Sequence, residues 1–280
     1  MSAPLDLIRC PVCGEAFSAA DGAVRCVSGH SVDWARQGYL NLLGRAAPEN
    51  ADTPEMLAAR DRFLARGHFD PLADAVTAAV AGVGGRPDVL EVGAGTGFYL
   101  ARTLTRLGGR GVALDVSPAA ARRAARAHPD LLAVVADVWR PLPLPTAGFD
   151  AVLAVFAPRN AVEFARVLRP GGRLVVATPE RTHLAELRSA LGLLDIPADK
   201  DDRVGTTLGS DFEPGPRTVV RESMVLDAAA AVDLVAMGPN AFHHDRADLA
   251  AQVDRLAPPV RVTLSVVVSA WTRRSANWVR

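Results

Sequence analysis

Residues 87–100 read PDVLEVGAGTGFYL. A short apolar run, Val89 to Val92, carries one acidic residue, Glu91, and ends in three glycines at alternate positions, Gly93, Gly95 and Gly97. That spacing permits a sharp turn and lets a ligand come close to the backbone. FYLARTLTRL (98–107) then follows with helical character. A dinucleotide-binding loop would be G-x-G-x-x-G, with a pyrophosphate on the helix N-terminus, and here the third glycine comes one residue early.

The same alternation continues outward. GVALDV (111–116) reads as a strand and SPAAARRAARAH (117–128) as a helix with Ser117 as its cap. LLAVVAD (131–137) and FDAVLAVFAP (149–158) read as strands, RNAVEFARVL (159–168) as a helix and GGRLVVATP (171–179) as a strand. RTVVRESMVL (217–226) and VRVTLSVVVSAW (260–271) are late strands with helices between them. Strands alternating with helices predict an α/β, doubly wound, Rossmann-like parallel sheet. Before it, a helix starts at Asp52–Pro54, capped by Asp52 or Thr53, and a second runs from about Pro71 to GVGG (82–85). DIPADKDDRVGTTLGSDFEPGP (195–216) is polar and turn-rich and reads as a loop. The tail WTRRSANWVR (271–280) is basic and aromatic, and reads as the close of the last strand.

Two carboxylates fall in phase with the strands. Asp115 ends the second, where it can hold both hydroxyls of a ribose, and Asp137 follows the third, where it can reach an adenine. The competing reading is a tight turn with carboxylates that cap helices.

All three cysteines lie near the start, in IRCPVCGEAFSAADGAVRCVSGHSVD (8–33). Cys10, Cys13, Cys26 and His30 are spaced C-x2-C-x12-C-x3-H. Two thiolates two residues apart can both turn inward on a knuckle, and four N/S ligands fill the shell of a structural zinc with no position left for water. A segment this small cannot bury enough core to fold unaided, so the metal would be its folding energy. The division expected is a zinc-binding module (1–36), a connector with a helix (37–69) and a main domain (70–280). With the two sites in separate modules, Cys10→Ser is expected to release zinc and spare the cofactor site.

Composition narrows the setting. The formal net charge is 0, so any nucleic-acid contact must come from a local cluster rather than a global field. Lys200 is the lone lysine, and the arginine bias suits phosphate contacts without requiring them. On the module, Arg9, Arg25 and Arg36 are offset by Asp6, Glu15, Asp21 and Asp33. No apolar run approaches the ~18 residues of a membrane span. Few cysteines and no export signal at the start fit a reducing cytoplasm.

The glycine loop with Asp115 and Asp137 resembles class I S-adenosylmethionine-dependent methyltransferases, from about Asp70 to the end of GGRLVVATP. That resemblance implies the glycine loop against the amino-acid part of the cofactor, Asp115 on the ribose and Asp137 at the adenine end, with Glu91 in the same site. With the cysteine cluster, DWARQGYLNLL (33–43), GHFDPL (67–72), FAPRNAVEFARVLRPGG (156–172) and TPERTHLAEL (178–187), nearly the whole chain resembles the 23S rRNA guanine-N1 methyltransferase family, which includes macrolide-resistance members. The resemblance implies methyl transfer to N1 of a guanine in a 23S rRNA hairpin loop, an RNA-facing zinc module and a homodimer.

N1 of guanine carries a proton near neutral pH, so the base must be held in line with the methyl group and the proton must be taken away. An unpaired loop base exposes its Watson–Crick edge and is splayed into a pocket at less cost. Phe156 is the candidate to stack on the guanine and Pro158 to shape the pocket, the competing reading being that Phe156 plugs the core. Arg159 is a candidate phosphate contact or a solvated side chain, and His243 and His244, in MGPNAFHHDR (237–246), are candidate RNA contacts or surface residues. Arg181 and His183 follow the fifth strand and are expected to face the cleft. No residue stands out as the general base. Two rival functions remain at this level: a small-molecule methyltransferase keeping the zinc module as scaffold, and a non-catalytic RNA- or protein-binding module.

Overall fold

The structure, a computed structural model, describes residues 3–196 and 202–275. Strands β1 (Phe17–Ala20), β2 (Ala23–Cys26) and β3 (Ser31–Asp33) form a small antiparallel sheet in that order. Among the described residues the main sheet has eight strands. They are β4 (Tyr39–Asn41), β5 (Asp88–Val92), β6 (Arg110–Asp115), β7 (Leu131–Val135), β8 (Phe149–Val155), β9 (Leu168–Pro179), β10 (Phe212–Leu226) and β11 (Val260–Arg273). Their order is β10-β11-β9-β8-β5-β6-β7-β4. β4 to β9 run parallel, whereas β11 inserts antiparallel between β9 and β10. The expectation of a parallel sheet therefore holds for its centre and not for that edge. There β10 shows one face to solvent and buries only every second or fourth residue near its end, Val220, Met224 and Leu226, as antiparallel edge strands do.

The helices are α1 (Pro54–Leu64), α2 (Asp70–Ala81), α3 (Phe98–Leu107), α4 (Pro118–Ala124), α5 (Ala161–Val167), α6 (Ala185–Leu191), α7 (Asp202–Leu208), α8 (Ala228–Ala236) and α9 (Arg246–Asp254). Of the two residues offered as the first cap, Thr53 is the one used: its Oγ1 accepts from Met56 N at 3.3 Å. Ser117 caps α4 as expected, accepting from Ala120 N at 3.3 Å. The stretch expected to be a loop at 195–216 holds α7 and the start of β10, because Leu208 and Phe212 are apolar anchors buried in the core. Residues 197–201 of that stretch, and 276–280 of the tail, lie outside the described residues, while Trp271 to Arg273 close β11.

Because side chains alternate along a strand, β5 sends Val89 to one face of the sheet and Leu90 and Val92 to the other. The first face is covered by α1, α2, α3, α4 and α8 through residues such as Phe63, Leu72, Leu100, Ala121 and Leu234. The second is covered by α5 and by the cysteine-bearing segment, whose Leu7, Ile8, Phe17 and Val24 join Leu90, Val112, Phe149 and Phe164 in one cluster. The cysteine-bearing segment and the main sheet thus share one apolar cluster. Too small to bury its own apolar face, the segment buries it against the main sheet. Arg9 N donates to Pro143 O at 2.7 Å, and Arg110 pairs with both Asp6 (2.9 Å) and Asp88 (2.9 Å) across the junction. Tyr39–Asn41 then pair in parallel with Ala133–Val135 at the edge of the main sheet.

Candidate active site and metal centre

The ligand atoms of Cys10, Cys13, Cys26 and His30 lie within 4.8 Å of one another. Cys13 Sγ and Cys26 Sγ are 3.6 Å apart, and Cys26 Sγ is 3.4 Å from His30 Nδ1. A tetrahedron with Zn–S of ~2.3 Å and Zn–N of ~2.0 Å has edges of roughly 3.5–3.8 Å, so the donor set and its spacing fit zinc. Tight turns present the thiols: Gly14 N donates to Cys10 O at 2.9 Å and Gly29 N to Cys26 O at 3.0 Å. Glu15 ties the two turns together, its Oε2 accepting from Ser28 N (3.0 Å) and Ser28 Oγ (2.7 Å). The Ser28 hydrogen bonds hold its carboxyl below the usual range. Cys10 and Cys26 are buried and Cys13 is exposed, so the cluster has one wet side.

The second site forms where the sheet order reverses, at the carboxyl ends of β5 and β8, which is where open α/β sheets bind ligands. The glycine loop leaves β5 with Gly93 at φ 59° and Gly95 at φ 55°, a backbone that favours glycine. A Cβ on Gly93 would stand 2.9 Å from the Ala157 Cβ, so the loop lies directly against FAP (156–158). A Cβ on Gly95 would overlap the Arg60 guanidinium. Gly97 precedes α3.

Asp115 braces this loop. Its Oδ2 accepts from Gly95 N at 2.8 Å and its Oδ1 from Ser117 N at 2.9 Å, while each oxygen keeps a further lone pair for a ligand. Burial pushes the Asp115 carboxyl up, against the pull of those two N–H groups. Glu91 is 2% exposed, and its Oε2 accepts from Leu100 N at 3.1 Å. Burial raises its pKa to about 8. The folded state thus holds a proton that the unfolded chain releases near 4.5, and folding loses stability as pH rises from 4.5 to about 8. Glu91→Gln, which keeps an acceptor for Leu100 and carries no charge, is expected to match the parent near pH 4 and to melt at increasingly higher temperature than it up to pH 8. A pH series of thermal unfolding curves checks this.

Asp137 is placed differently from Asp115. Its Oδ2 pairs with Arg45 at 2.7 Å and its Oδ1 accepts from Trp139 N at 2.9 Å. Trp139 beside it is 65% exposed.

At the end of β8 Phe156 has φ 54°, a strained backbone for a non-glycine, and the residue is 43% exposed. It stacks on His183, with centroids 5.9 Å apart and 23° between the planes. One side of Phe156 is thus covered by the buried His183 while the residue stays partly exposed. His183 is buried, and its Nδ1 accepts from Ser265 N at 3.2 Å, which places the neutral ring's proton on Nε2. Pro158 is exposed and Arg159 half-buried, where burial pushes its guanidinium pKa down. Arg181 is exposed. His243 is exposed and His244 half-buried, on the turn after Pro239–Phe242.

Two side chains not singled out from the sequence also touch these residues, Arg60 at the loop and Arg45 at Asp137. Arg60, on α1, pairs with Asp52 at 2.6 Å and donates to Met237 O at 2.6 Å. Both sit in segments whose composition resembles any solvated helix or connector, so pattern alone gave no sign of them.

Comparisons with known proteins bear on this geometry. A family model described as "RlmA, N-terminal", a zinc ribbon, matches residues 8–45, and one described as "Methyltransferase domain" matches residues 89–172. The chain is 46% identical over 92% of its length to the 23S rRNA (guanine(748)-N(1))-methyltransferase of Streptomyces fradiae, 94% of which is covered. It is 48% identical over 92% of its length to a Micromonospora griseorubida protein, 95% covered, provisionally named 23S rRNA (guanine-N(1)-)-methyltransferase. The chain belongs to the 23S rRNA guanine-N1 methyltransferase family. As a member it is an S-adenosylmethionine-dependent methyltransferase with a structural zinc ribbon, as the cysteine spacing and glycine loop anticipated. Its likeness to a small-molecule enzyme, the demethylmenaquinone methyltransferase of Tropheryma whipplei, covers 34% of the chain and 43% of that protein, at 39% identity. The family resemblance thus spans both sites, and the small-molecule one spans a third of the chain.

Proposed function

We propose that this family member transfers a methyl group to N1 of a guanine in 23S rRNA, at guanine 748 or its equivalent, as a cytoplasmic homodimer that gives its host resistance to macrolides. The observation that carries the reading is the pairing of a zinc ribbon with an exposed Phe156 at the mouth of the methyltransferase cleft, in a chain nearly half identical over 92% of its length to enzymes named for that reaction. Among the described residues no helix is long and apolar enough to cross a membrane.

The bound cofactor supplies an electrophilic methyl on a sulfonium. Gly93, Gly95 and Gly97 would give it a close-fitting backbone, Asp115 would hold the ribose hydroxyls, and Asp137, paired with Arg45, would stand at the adenine end. Glu91 stiffens the loop from below by accepting from Leu100 N. The guanine would take that methyl at N1, the sulfonium leaving as a neutral thioether with the S–C electron pair and the N1 proton passing to water. Phe156 offers its face to the guanine, Pro158 borders it and Arg159 faces the phosphates. His183 holds the Phe156 ring in place. His243 lies farther out, for flanking RNA.

Stacking of a base on an aromatic side chain is worth about 1–3 kcal/mol. Phe156→Ala is accordingly expected to lower kcat/KM for rRNA about 10- to 100-fold, with cofactor affinity unchanged in a titration. The primary test is methyl transfer from labelled S-adenosylmethionine to protein-free 23S rRNA, followed by reverse transcription. Methylation of N1 blocks the Watson–Crick edge and stops the transcriptase at one guanine. Label without a stop would mean another atom, and no label in RNA would favour a small-molecule acceptor.

A further inference from the structure

Arg60 is a mostly buried cation that lies against the glycine loop and has no part in the roles above. It projects from α1 across the glycine loop, so that a Cβ on Gly95 would overlap its Nη1. Asp52 Oδ2, 2.6 Å from Nη1, and Met237 O, 2.6 Å from Nη2, hold the guanidinium on two sides. A guanidinium has five N–H donors, so these two contacts leave others for a ligand on the loop. Arg60 is also the cation whose field acts on both buried carboxylates, Glu91 and Asp115.

We propose that Arg60 holds the α-carboxylate of the methionine end of S-adenosylmethionine, with Asp52 aiming the guanidinium over the glycine loop. The inference rests on the cofactor assignment above and adds the residue that recognises its amino-acid end. That end is a zwitterion. Laid on a loop braced by the Asp115 carboxylate, a second carboxylate meets like charge and a poorly solvated site, and is bound only if a cation stands with it. Arg60 is that cation at Gly95, and its planar fork matches a carboxylate with two parallel hydrogen bonds. Asp52 also links this pair to the neighbouring turn, because its backbone oxygen accepts from Ser117 Oγ at 2.7 Å. The carboxylate and ribose ends are thereby held by residues on connected elements.

Calorimetric titration of the full chain with S-adenosylmethionine and with decarboxylated S-adenosylmethionine tests this. The wild type is expected to bind the complete cofactor about 10- to 100-fold more tightly, the range for hydrogen bonds to a charged group. In Arg60→Met that preference should vanish: affinity for the complete cofactor falls by the same factor and affinity for the decarboxylated one stays level. Arg60→Lys, which keeps the charge and loses the fork, should show an intermediate preference and keeps the test decisive if the methionine variant does not fold. Equal binding of both ligands by the wild type overturns the proposal. So does an equal loss for both ligands in either variant, which would make Arg60 a structural link between Asp52 and Met237. Failure of the wild type to bind either ligand would overturn the cofactor reading itself.

Discussion

Asp115→Ala is expected to weaken cofactor binding by about 100-fold or more and to reduce rRNA methylation to background at ordinary cofactor concentrations. The carboxylate does two things at once. It accepts from Gly95 N and Ser117 N, both in buried backbone, and it stands where a ribose would be held. Alanine leaves two buried N–H groups without partners, at about 1–3 kcal/mol each, and removes the charged acceptor for the ribose hydroxyls, at about 1.5–3 kcal/mol. Since 1.4 kcal/mol is a factor of ten, the ligand-facing loss alone is at least tenfold and the slackened loop multiplies it. Asp115→Asn is expected to fall between, because its amide oxygen still serves one N–H while its NH2 group confronts the other. Calorimetric titration read beside a thermal unfolding curve separates the two parts. Wild-type affinity in a folded Asp115→Ala variant would overturn the ribose assignment.

Cys26→Ser is expected to empty the zinc site, lower the unfolding temperature of the whole chain and abolish rRNA methylation. Cys26 Sγ stands between Cys13 and His30 in the ligand set, and the residue is buried. Structural zinc supplies about 10–16 kcal/mol of apparent folding energy to segments of this kind. Without it Leu7, Ile8, Phe17 and Val24 no longer cover their side of the sheet, and Leu90, Val112 and Phe149 lose part of their cover. Cofactor affinity should fall by less than about tenfold. The residues that back the glycine loop, Val89, Ala94 and Leu100, belong to the cluster on the opposite face. Metal analysis, calorimetric titration and the reverse-transcription assay read the three effects. A variant that keeps its zinc and methylates at full rate would remove Cys26 from the ligand set.

The elements that could be read from the sequence are those whose chemistry is local. The cysteine spacing, the alternate glycines, Ser117 before its helix and the apolar runs of β5 to β9 each carry their signal within one short stretch of chain. What escaped reading is set by distant partners. Nothing near Arg60 announces that Gly95 is the residue it covers, and nothing near Arg45 announces Asp137. The stacking of Phe156 on His183 joins two strand ends that only the folded sheet brings together. Leu7, Ile8 and Phe17 read as ordinary apolar residues of a small module, and only the structure shows that their partner is the main sheet. Leu208 and Phe212 likewise anchor α7 and β10 from within a stretch whose average composition is that of a loop.

The pairing of Tyr39–Asn41 with Ala133–Val135 sets an order of events on the ribosome. The ribbon leaves the exit tunnel first, yet the strand it docks beside, and much of the apolar surface it covers, are made later. At elongation rates of about 5–20 residues per second, that interval is of order ten seconds. During it Leu7, Ile8, Phe17 and Val24 face water and other nascent chains. Zinc, captured by the four ligands as soon as His30 emerges, keeps that early segment in the shape that the later strands will meet.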